Sequence, residues 1–409
     1  MKQKLLVARL PMANGEGRAV VLYEEEEAAE LYLTDPSESS LLNNIYLGHV
    51  AKVIAQAGGA FVRFQQGEEG FLPFGKIRQA VYKNKKKDQE ICPEDELLVR
   101  VDTDALKTKK TGLSAELTIN GKFLVISNGF HGIHFSKKLN AEEKEKIADF
   151  LKNANGQFGF IVRTSAVRAE EKELADEAAA LEEKLEKIIQ YGVSRPWGTC
   201  LYRSPSIWME KFHQLNLETG DQLVTDDPQV YEAALEEMKE AGKERLEHLK
   251  QVRFYEDKQL PLYRLYNLST LLSRASEKKV WLKSGASIII EQTEAFVCID
   301  VNSSKAIQKK VSEEEFLKIN LEAATEIARQ IRLRRLSGTI LIDFINMKKE
   351  ESEKRLLTEF RRLTQRDHSS VKVVDITPLG IMELSRRKRG PSLQEQIALC
   401  RPDEKRKEE

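Results

Sequence analysis

The stretch from Thr293 to Met347 constrains this chain of 409 residues more than any other. It opens on an apolar run, Ala295-Phe-Val-Cys-Ile, that ends on Asp300 and is followed by Val301 and Asn302. An amphipathic segment comes next, acidic at its start and basic at its end, and then a second apolar run, Thr339-Ile-Leu-Ile, ends on Asp343. Two short apolar runs separated by a helix long enough for a crossover read as a βαβ unit with parallel strands. Such a unit brings Asp300 and Asp343, 43 positions apart, to the same carboxyl end of a sheet, where open α/β sheets take their ligands. Two carboxylates beside the Asn302 amide make an oxygen-rich site for a hard cation such as Mg²⁺. Nothing nearby supplies the His or Cys ligands that zinc would favour. Either aspartate alone reads more readily as a cap or turn former. Their matched settings favour a site.

Composition narrows the class. The chain is 41% hydrophobic and 32% charged, with a formal net charge of +0, so a nucleic-acid surface on it has to be local. Its length suits several subdomains. Cys92, Cys200, Cys298 and Cys400 are scattered with no C-x-x-C pair, which predicts reduced thiols in the cytoplasm, with Cys298 as a small core residue. No apolar run approaches a membrane span, so no membrane partner is expected.

Taken in order, residues 2–34 read as strands Lys4–Leu10, Arg18–Tyr23 and Glu30–Leu33, with Asn14-Gly15 as a turn and Glu24–Glu27 as a solvated loop or hairpin tip. This meander needs a cover from later in the chain. Strands at Ile45–Val53, Ala60–Phe64, Glu69–Phe74, Glu96–Val101 and Leu113–Leu117 suit an OB-type barrel. Phe61 and Phe71 are candidates for base stacking, with barrel core as the alternative. Lys83, Lys85–Lys87 and the Lys107/Lys109/Lys110 cluster offer phosphate-attracting charge around the same barrel. Beyond it come strands Phe123–Ser127 and Gly159–Thr164, a helix over 141–153, and a long Ala/Glu/Lys helix over 169–189 read as an exposed scaffold. Arg163 and Thr164 end an apolar strand and offer a fork and a hydroxyl to a phosphate, with an ion pair as the alternative.

Residues 206–276 predict helices over 206–214, 227–241 and 263–276 around a strand at 222–225, with Asp227 as a helix cap and Pro228 in its first turn. Strands then follow at 280–283 and 287–292. Ser312-Glu-Glu-Glu is a capping box for the crossover helix. Arg329, Arg332, Arg334 and Arg335 crowd its end, either as a dipole-matched solvated face or as charge for a phosphate backbone. A helix over 348–365, strands at 371–376 and 381–384, and the basic run Arg386–Arg389 complete the pattern.

Three ordered segments resemble the catalytic region of the ribonuclease E/G family. They are Thr293-Glu-Ala-Phe-Val-Cys-Ile-Asp-Val-Asn-Ser-Ser-Lys-Ala, Asn320-Leu-Glu-Ala-Ala-Thr-Glu-Ile-Ala-Arg-Gln-Ile-Arg-Leu-Arg and Gly338-Thr-Ile-Leu-Ile-Asp-Phe-Ile-Asn-Met. Asn44-Ile-Tyr-Leu-Gly-His-Val, Ala60-Phe-Val and Gly70-Phe-Leu-Pro are similar to the family's RNA-binding barrel, and Ile161-Val-Arg-Thr to its 5′-end sensor. The resemblance implies an α+β and α/β multi-subdomain chain. In it an OB-type RNA-binding barrel (37–118) and a 5′-sensor region (119–211) are inserted into a ribonuclease-H-like subdomain (1–36 and 212–276). A deoxyribonuclease-I-like catalytic subdomain (277–398) and a charged tail (399–409) follow.

It also implies roles. Asp300 and Asp343 hold one catalytic Mg²⁺ per subunit and Asn302 orients them. Phe61, Phe71 and a lysine, Lys109 or Lys110, contact RNA. Arg163, Thr164, Gly121 and Val125 sense a 5′-monophosphate. The implied activity is Mg²⁺-dependent endonucleolytic cleavage of single-stranded RNA, in rRNA maturation and mRNA decay. Two departures stand out: Pro378 where the ribonuclease E type has a further sensor arginine, and Asn346 where many relatives have a second aspartate. Relatives also follow the catalytic region with a C-x-x-C that shares a zinc between subunits. Here Cys400 stands alone, which predicts a zinc-free protein of the compact, ribonuclease-G-like type whose homodimer, if formed, rests on other surface. The competing readings are an RNA-binding factor without catalysis and a cytoplasmic scaffold.

Overall fold

The computed structural model describes residues 2–12, 15–35, 41–85, 90–103, 110–136, 139–152, 156–215, 217, 220–240, 250–303 and 312–399. Asn14, Lys86, Lys87, Lys107, Lys109, Lys305 and Cys400, named in the sequence reading, lie outside these residues. The chain divides into two compact units, Met1–Ser39 with Ile207–Glu409, and Ser40–Ser206.

In the Ser40–Ser206 unit, strands Ile45–Ile54, Gly59–Gln65, Glu68–Pro73, Thr111–Ser114 and Glu96–Thr103 pair in that order, and the last pairs back on the first. The result is a closed five-stranded barrel of OB-like character, with Cys200–Tyr202 added along Ile45–Ile54. Alternation decides what faces inward. Val62, Phe64, Leu72, Leu97, Val99, Val101 and Leu113 fill the interior, while Phe61, Arg63 and Phe71 sit at the alternate positions. A second sheet runs Gly132–Phe135, Gly159–Val162, Leu124–Ser127, Thr118–Asn120.

The long helix Glu171–Gly192 corrects the sequence reading of an exposed scaffold. Leu174, Ala178, Leu181, Leu185 and Ile188 recur at helical spacing and are buried in the core shared with that sheet. Its charged residues occupy the other face, so the high Glu/Lys content conceals an apolar stripe.

The other unit holds two sheets. One runs Val252–Phe254, Gln222–Thr225, Gln3–Met12, Gly15–Glu24, Glu27–Thr34. The hairpin-connected N-terminal strands are antiparallel, and the two later strands lie parallel to the first, with Lys4–Val7 in register with Gln222–Thr225. The meander thus gains its cover from residues after 206. Asp227 caps the helix Pro228–Glu240, accepting from the backbone nitrogens of Gln229 at 2.9 Å and Val230 at 3.4 Å. The predicted helix over 263–276 is two, Leu262–Leu265 and Leu268–Ser276, broken where Asn267 adopts φ of 49°.

The last sheet carries the stretch that opened the sequence reading. Its order is Lys279–Trp281, Ser287–Gln292, Phe296–Asn302, Gly338–Asp343, Ile381–Arg386, Val371–Ile376, and its central pair is parallel. Helices Glu313–Leu333 and Glu350–Thr364 close one face over Ile288, Ile290, Val297, Ile299, Val301, Ile340, Ile342, Met382 and Leu384. The predicted capping box forms: Ser312 Oγ accepts from the Glu315 nitrogen, and Glu315 accepts from the Ser312 nitrogen at 2.8 Å.

Alternate residues face the other way and stay exposed: Phe296, Cys298, Asp300, Thr339 and Asp343. Cys298 is therefore a surface thiol, not the core residue expected from its apolar neighbours. A sheet covered on one face buries every second residue only.

The arginine cluster at the end of the crossover helix is also corrected. Arg332 is buried and donates to Glu24 and Glu30; Arg334, also buried, donates to Gln330 and to the Glu277 carbonyl. Arg329 holds Glu326 and the Ala28 carbonyl, and Arg335 donates to the Arg389 carbonyl. These side chains tie the helix into its unit. Neither the solvated face nor the phosphate surface survives, and Glu24, taken as part of a solvated tip, is one of their anchors.

Candidate active site and nucleic-acid interface

Parallel pairing puts Asp300 opposite Asp343 as direct Cα partners, the last rung of a ladder that runs Phe296–Thr339 through Ile299–Ile342. The same period that buries Ile299, Val301 and Ile342 turns both carboxylates to the open face. Partial burial and the neighbouring Asp300 charge push the Asp343 carboxyl above its ordinary value. Asn302 lies two residues beyond Asp300 on the same face, and its Nδ2 donates to Asp300 Oδ2 at 2.6 Å.

Behind the pair, Asn320 is fully buried in the crossover helix; its Nδ2 donates to the Ile345 carbonyl at 2.8 Å and its Oδ1 accepts from the Ile345 nitrogen at 3.0 Å. This brace fixes the chain as it leaves Asp343. Sequence reasoning quoted Asn320 without seeing the role, although an asparagine on the apolar face of a helix was a signal. Asn346 comes close to the Thr377–Gly380 turn: a Cβ at Gly380, where φ is +83°, would stand 3.1 Å from its Oδ1. Pro378 sits in that same turn.

Repulsion between two carboxylates on an open face is relieved by a proton or by a cation. An all-oxygen donor set with one carboxyl pushed up and the other already hydrogen-bonded fits a hard divalent ion. Among the described residues no cluster of three or more His, Cys, Asp or Glu forms, so the donor set is this pair with Asn302.

The barrel places Phe61 and Phe71 together. They are Cα partners on adjacent strands, both half-buried, with ring centroids 5.4 Å apart and planes at 59°. Lys110 Nζ lies 5.4 Å from the Phe61 ring centre while pairing with Glu69. Gly59 is required beneath them, because a Cβ there would meet the Phe71 ring at 2.5 Å and the Leu72 carbonyl at 2.6 Å. Two rings and a cation on one barrel face offer a base-stacking surface with phosphate charge beside it.

Gly121, Val125, Arg163 and Thr164 also come together, at one corner of the four-stranded sheet. The Gly121 nitrogen donates to the Leu124 carbonyl at 2.8 Å, Val125 pairs with Ile161, and the Arg163 nitrogen donates to the Phe123 carbonyl at 2.9 Å. Arg163 and Thr164 are half-buried where the strand ends. Glu177, which the sequence reading did not single out, reaches in from the long helix. It accepts from the nitrogens of Phe123 and Leu124 at 2.9 and 3.0 Å, and burial holds its carboxyl above the ordinary value.

The chain is similar to known proteins over most of its length. The model of the Ribonuclease E/G family matches residues 118–389, two thirds of the chain. Ribonuclease E of Haemophilus influenzae is 28% identical over 405 residues, covering 97% of this chain and 42% of that protein. Ribonuclease E of Escherichia coli is 26% identical, with 97% and 38% covered, and ribonuclease G of Escherichia coli 28% identical, with 89% and 76% covered. The chain thus spans about two fifths of the ribonuclease E relatives it matches. With the match running from residue 118 through both strands of the aspartate pair, this chain belongs to the ribonuclease E/G family.

Proposed function

We propose that this chain is a cytoplasmic endoribonuclease that cuts single-stranded RNA with Mg²⁺ held by Asp300 and Asp343, serving rRNA maturation and mRNA decay. The observation that carries the reading is the in-register pairing of the two aspartates on the open face of a sheet, in a chain of this family. Mg²⁺ in that site would supply Lewis acidity to the scissile phosphate and to an attacking water.

The chain's own residues do the rest. Asp300 and Asp343 supply the negative charge that selects a divalent cation. Asn302 holds the Asp300 carboxylate in one orientation through the 2.6 Å bond. Asn320 keeps the Asp343 strand from drifting as it exits the sheet. Phe61 and Phe71 hold unpaired bases by stacking, with Lys110 facing the backbone. Arg163 and Thr164 receive a 5′-monophosphate over the Gly121–Val125 corner.

The subdomain reading belongs to the same proposal. Three antiparallel strands followed by two parallel ones support a ribonuclease-H-like subdomain for 1–36 with 212–276. The mixed six-stranded sheet with its helices supports a deoxyribonuclease-I-like subdomain for 277–398.

The test is cleavage of an end-labelled single-stranded oligonucleotide with and without Mg²⁺, for the unmutated chain and for Asp300→Asn and Asp343→Asn. Each variant should lose roughly a hundredfold or more in rate and bind Mg²⁺ more weakly by calorimetry. Its RNA affinity should hold in the presence of a chelator. Near-normal turnover in either variant refutes the assignment, and binding without cutting in the unmutated chain makes it an RNA-binding factor instead.

A further inference from the structure

The surface holding Phe61 and Phe71 does not end at those rings. Arg63 follows Phe61 by two residues on the same strand, faces the same way and is exposed. Its Cα partner on the neighbouring strand is His49. The His49 ring in turn stacks on Trp197, centroids 5.7 Å apart and planes at 35°. Trp197 is 43% exposed, although an indole normally seeks cover.

Its position is fixed from below. The Gly198 nitrogen donates to the Leu47 carbonyl at 2.7 Å, and the Leu47 nitrogen donates to the Thr199 carbonyl at 3.2 Å. Gly198, at φ of +83°, lets this turn come down on the barrel: a Cβ there would lie 4.0 Å from the Cα of Gln65. Beyond Trp197 the surface falls into a groove of about 470 Å³ between the end of the long helix and the Cys200–Tyr202 strand. Tyr191, itself 56% exposed, lines it together with Lys187 and Arg195.

We propose that this is one continuous binding track for single-stranded RNA, running from Phe61 and Phe71 over Arg63 and His49 to Trp197 and ending in the Tyr191/Arg195 groove. The proposal rests on the reading of the barrel as an RNA-binding surface and extends it to residues with no assigned role. Rings and flat cations alternate along the track, as stacking platforms for unpaired bases do. Its span from Phe61 to Trp197 is on the order of 17 Å from strand geometry and the ring contact, a reach of a few nucleotides. Glu69, the Cα partner of Arg63, pairs with Lys110, and the exposed Glu94 lies 3.6 Å from His49 Nε2. A duplex, whose bases are already stacked, gains nothing from such a row of rings.

Trp197 supplies its own reporter. The chain has three tryptophans, of which Trp208 is buried and Trp281 is removable by Trp281→Phe. Oligouridylates with 5′-hydroxyl ends are titrated in chelator so that nothing is cut, one of about 2 nucleotides, shorter than that span, and one of about 15, near the upper end of a barrel's site size. The longer one should quench Trp197 and the shorter should bind without quenching it. Replacing Trp197 and Arg63 by alanine should weaken the longer oligonucleotide roughly five- to thirtyfold and leave the shorter unchanged. An unquenched Trp197 under saturating long oligonucleotide overturns the track, and that measurement leaves the track residues intact. If Phe61→Ala with Phe71→Ala leaves both oligonucleotides bound as before, the barrel reading itself falls. If that variant loses both while Trp197 in the chain with intact rings stays unquenched by the bound longer oligonucleotide, the extension alone falls.

Discussion

Truncating Phe61 and Phe71 separates a binding surface from a piece of core, and the structure says how large each effect should be. A fully buried phenylalanine costs about 3–5 kcal/mol when cut to alanine. These two rings are only half-buried, so each should cost about half of that. They also touch each other, at 5.4 Å between centroids, and a ring pair of this kind adds about 0.5–1.5 kcal/mol that can be lost only once. The stability costs of the single variants should therefore not add, and a double-mutant cycle should show coupling of that size.

The barrel interior, Val62, Phe64 and Leu72, is untouched and should keep the fold. Binding behaves differently. Each lost stacked base costs about 1–3 kcal/mol, a factor of roughly 5 to 150 in affinity. The assay is anisotropy of a labelled oligouridylate in chelator, run beside thermal unfolding of the same samples. A large fall in unfolding temperature with unchanged affinity would show that both rings serve the core.

Arg163→Ala should erase any preference for a 5′-monophosphate over a 5′-hydroxyl end in cleavage rate while leaving 5′-hydroxyl substrates unaffected; equal rates on both ends in the unmutated chain would end the sensor reading. Glu30→Gln should destabilise the first unit by about 3–5 kcal/mol in denaturant unfolding, because it leaves the buried Lys211 without its carboxylate and takes one of two from Arg332, which keeps Glu24; a loss under about 1 kcal/mol would refute it. The same network sets a pH window. Burial pushes the Glu30 carboxyl up, but Lys211 and Arg332 pull it well below its ordinary 4.5, so its contribution is complete above that value and is lost as pH falls below it. Burial pushes Lys211 down, but Glu30 and Tyr32 raise it above its ordinary 10.5, so its contribution is complete below that value and is lost as pH rises through the raised one. An acid limb persisting unchanged in Glu30→Gln would assign it to other groups.

The aspartate pair was legible because two apolar runs around a capped helix leave few topologies, and a parallel pair fixes the register of whatever ends the strands. Which face the carboxylates occupy was not, since the run from Ala295 to Ile299 reads as apolar throughout. Alternation along the strand turns Cys298 outward on the same face as Asp300, where it is exposed among the described residues. The arginines at 329–335 were misread for a related reason. Composition places them at a helix end, but their partners Glu24, Ala28 and Glu30 come from a strand pair about 300 residues earlier in the sequence. Val252–Phe254 was missed because three residues carry no period, and their strand character comes from lying beside Gln222–Thr225. Glu177 reads as one more acid on a charged helix until the Phe123–Leu124 turn arrives beneath it.

These internal ties bear on how the chain engages RNA. Of 65 basic residues against 65 acidic ones, several in the first unit are already spent: Arg18 on Asp227, Arg332 on Glu24 and Glu30, Arg386 on Asp367, and Lys211 on Glu30. RNA would have to break those pairs to use them, and breaking a buried pair costs more than an exposed phosphate contact returns. Among the described residues the barrel unit keeps exposed cations for a phosphate backbone, Lys52, Arg63, Arg78, Arg195 and Arg203 among them, besides a Lys110 that shares itself with Glu69. On the proposed track, ring stacking would add to the counterion release that these cations supply. Stacking is open only to bases not already stacked on one another, so on the proposed reading the rings select unpaired strands without reading their sequence. On the proposed reading, preference for single strands belongs to the barrel unit and is independent of the aspartate pair.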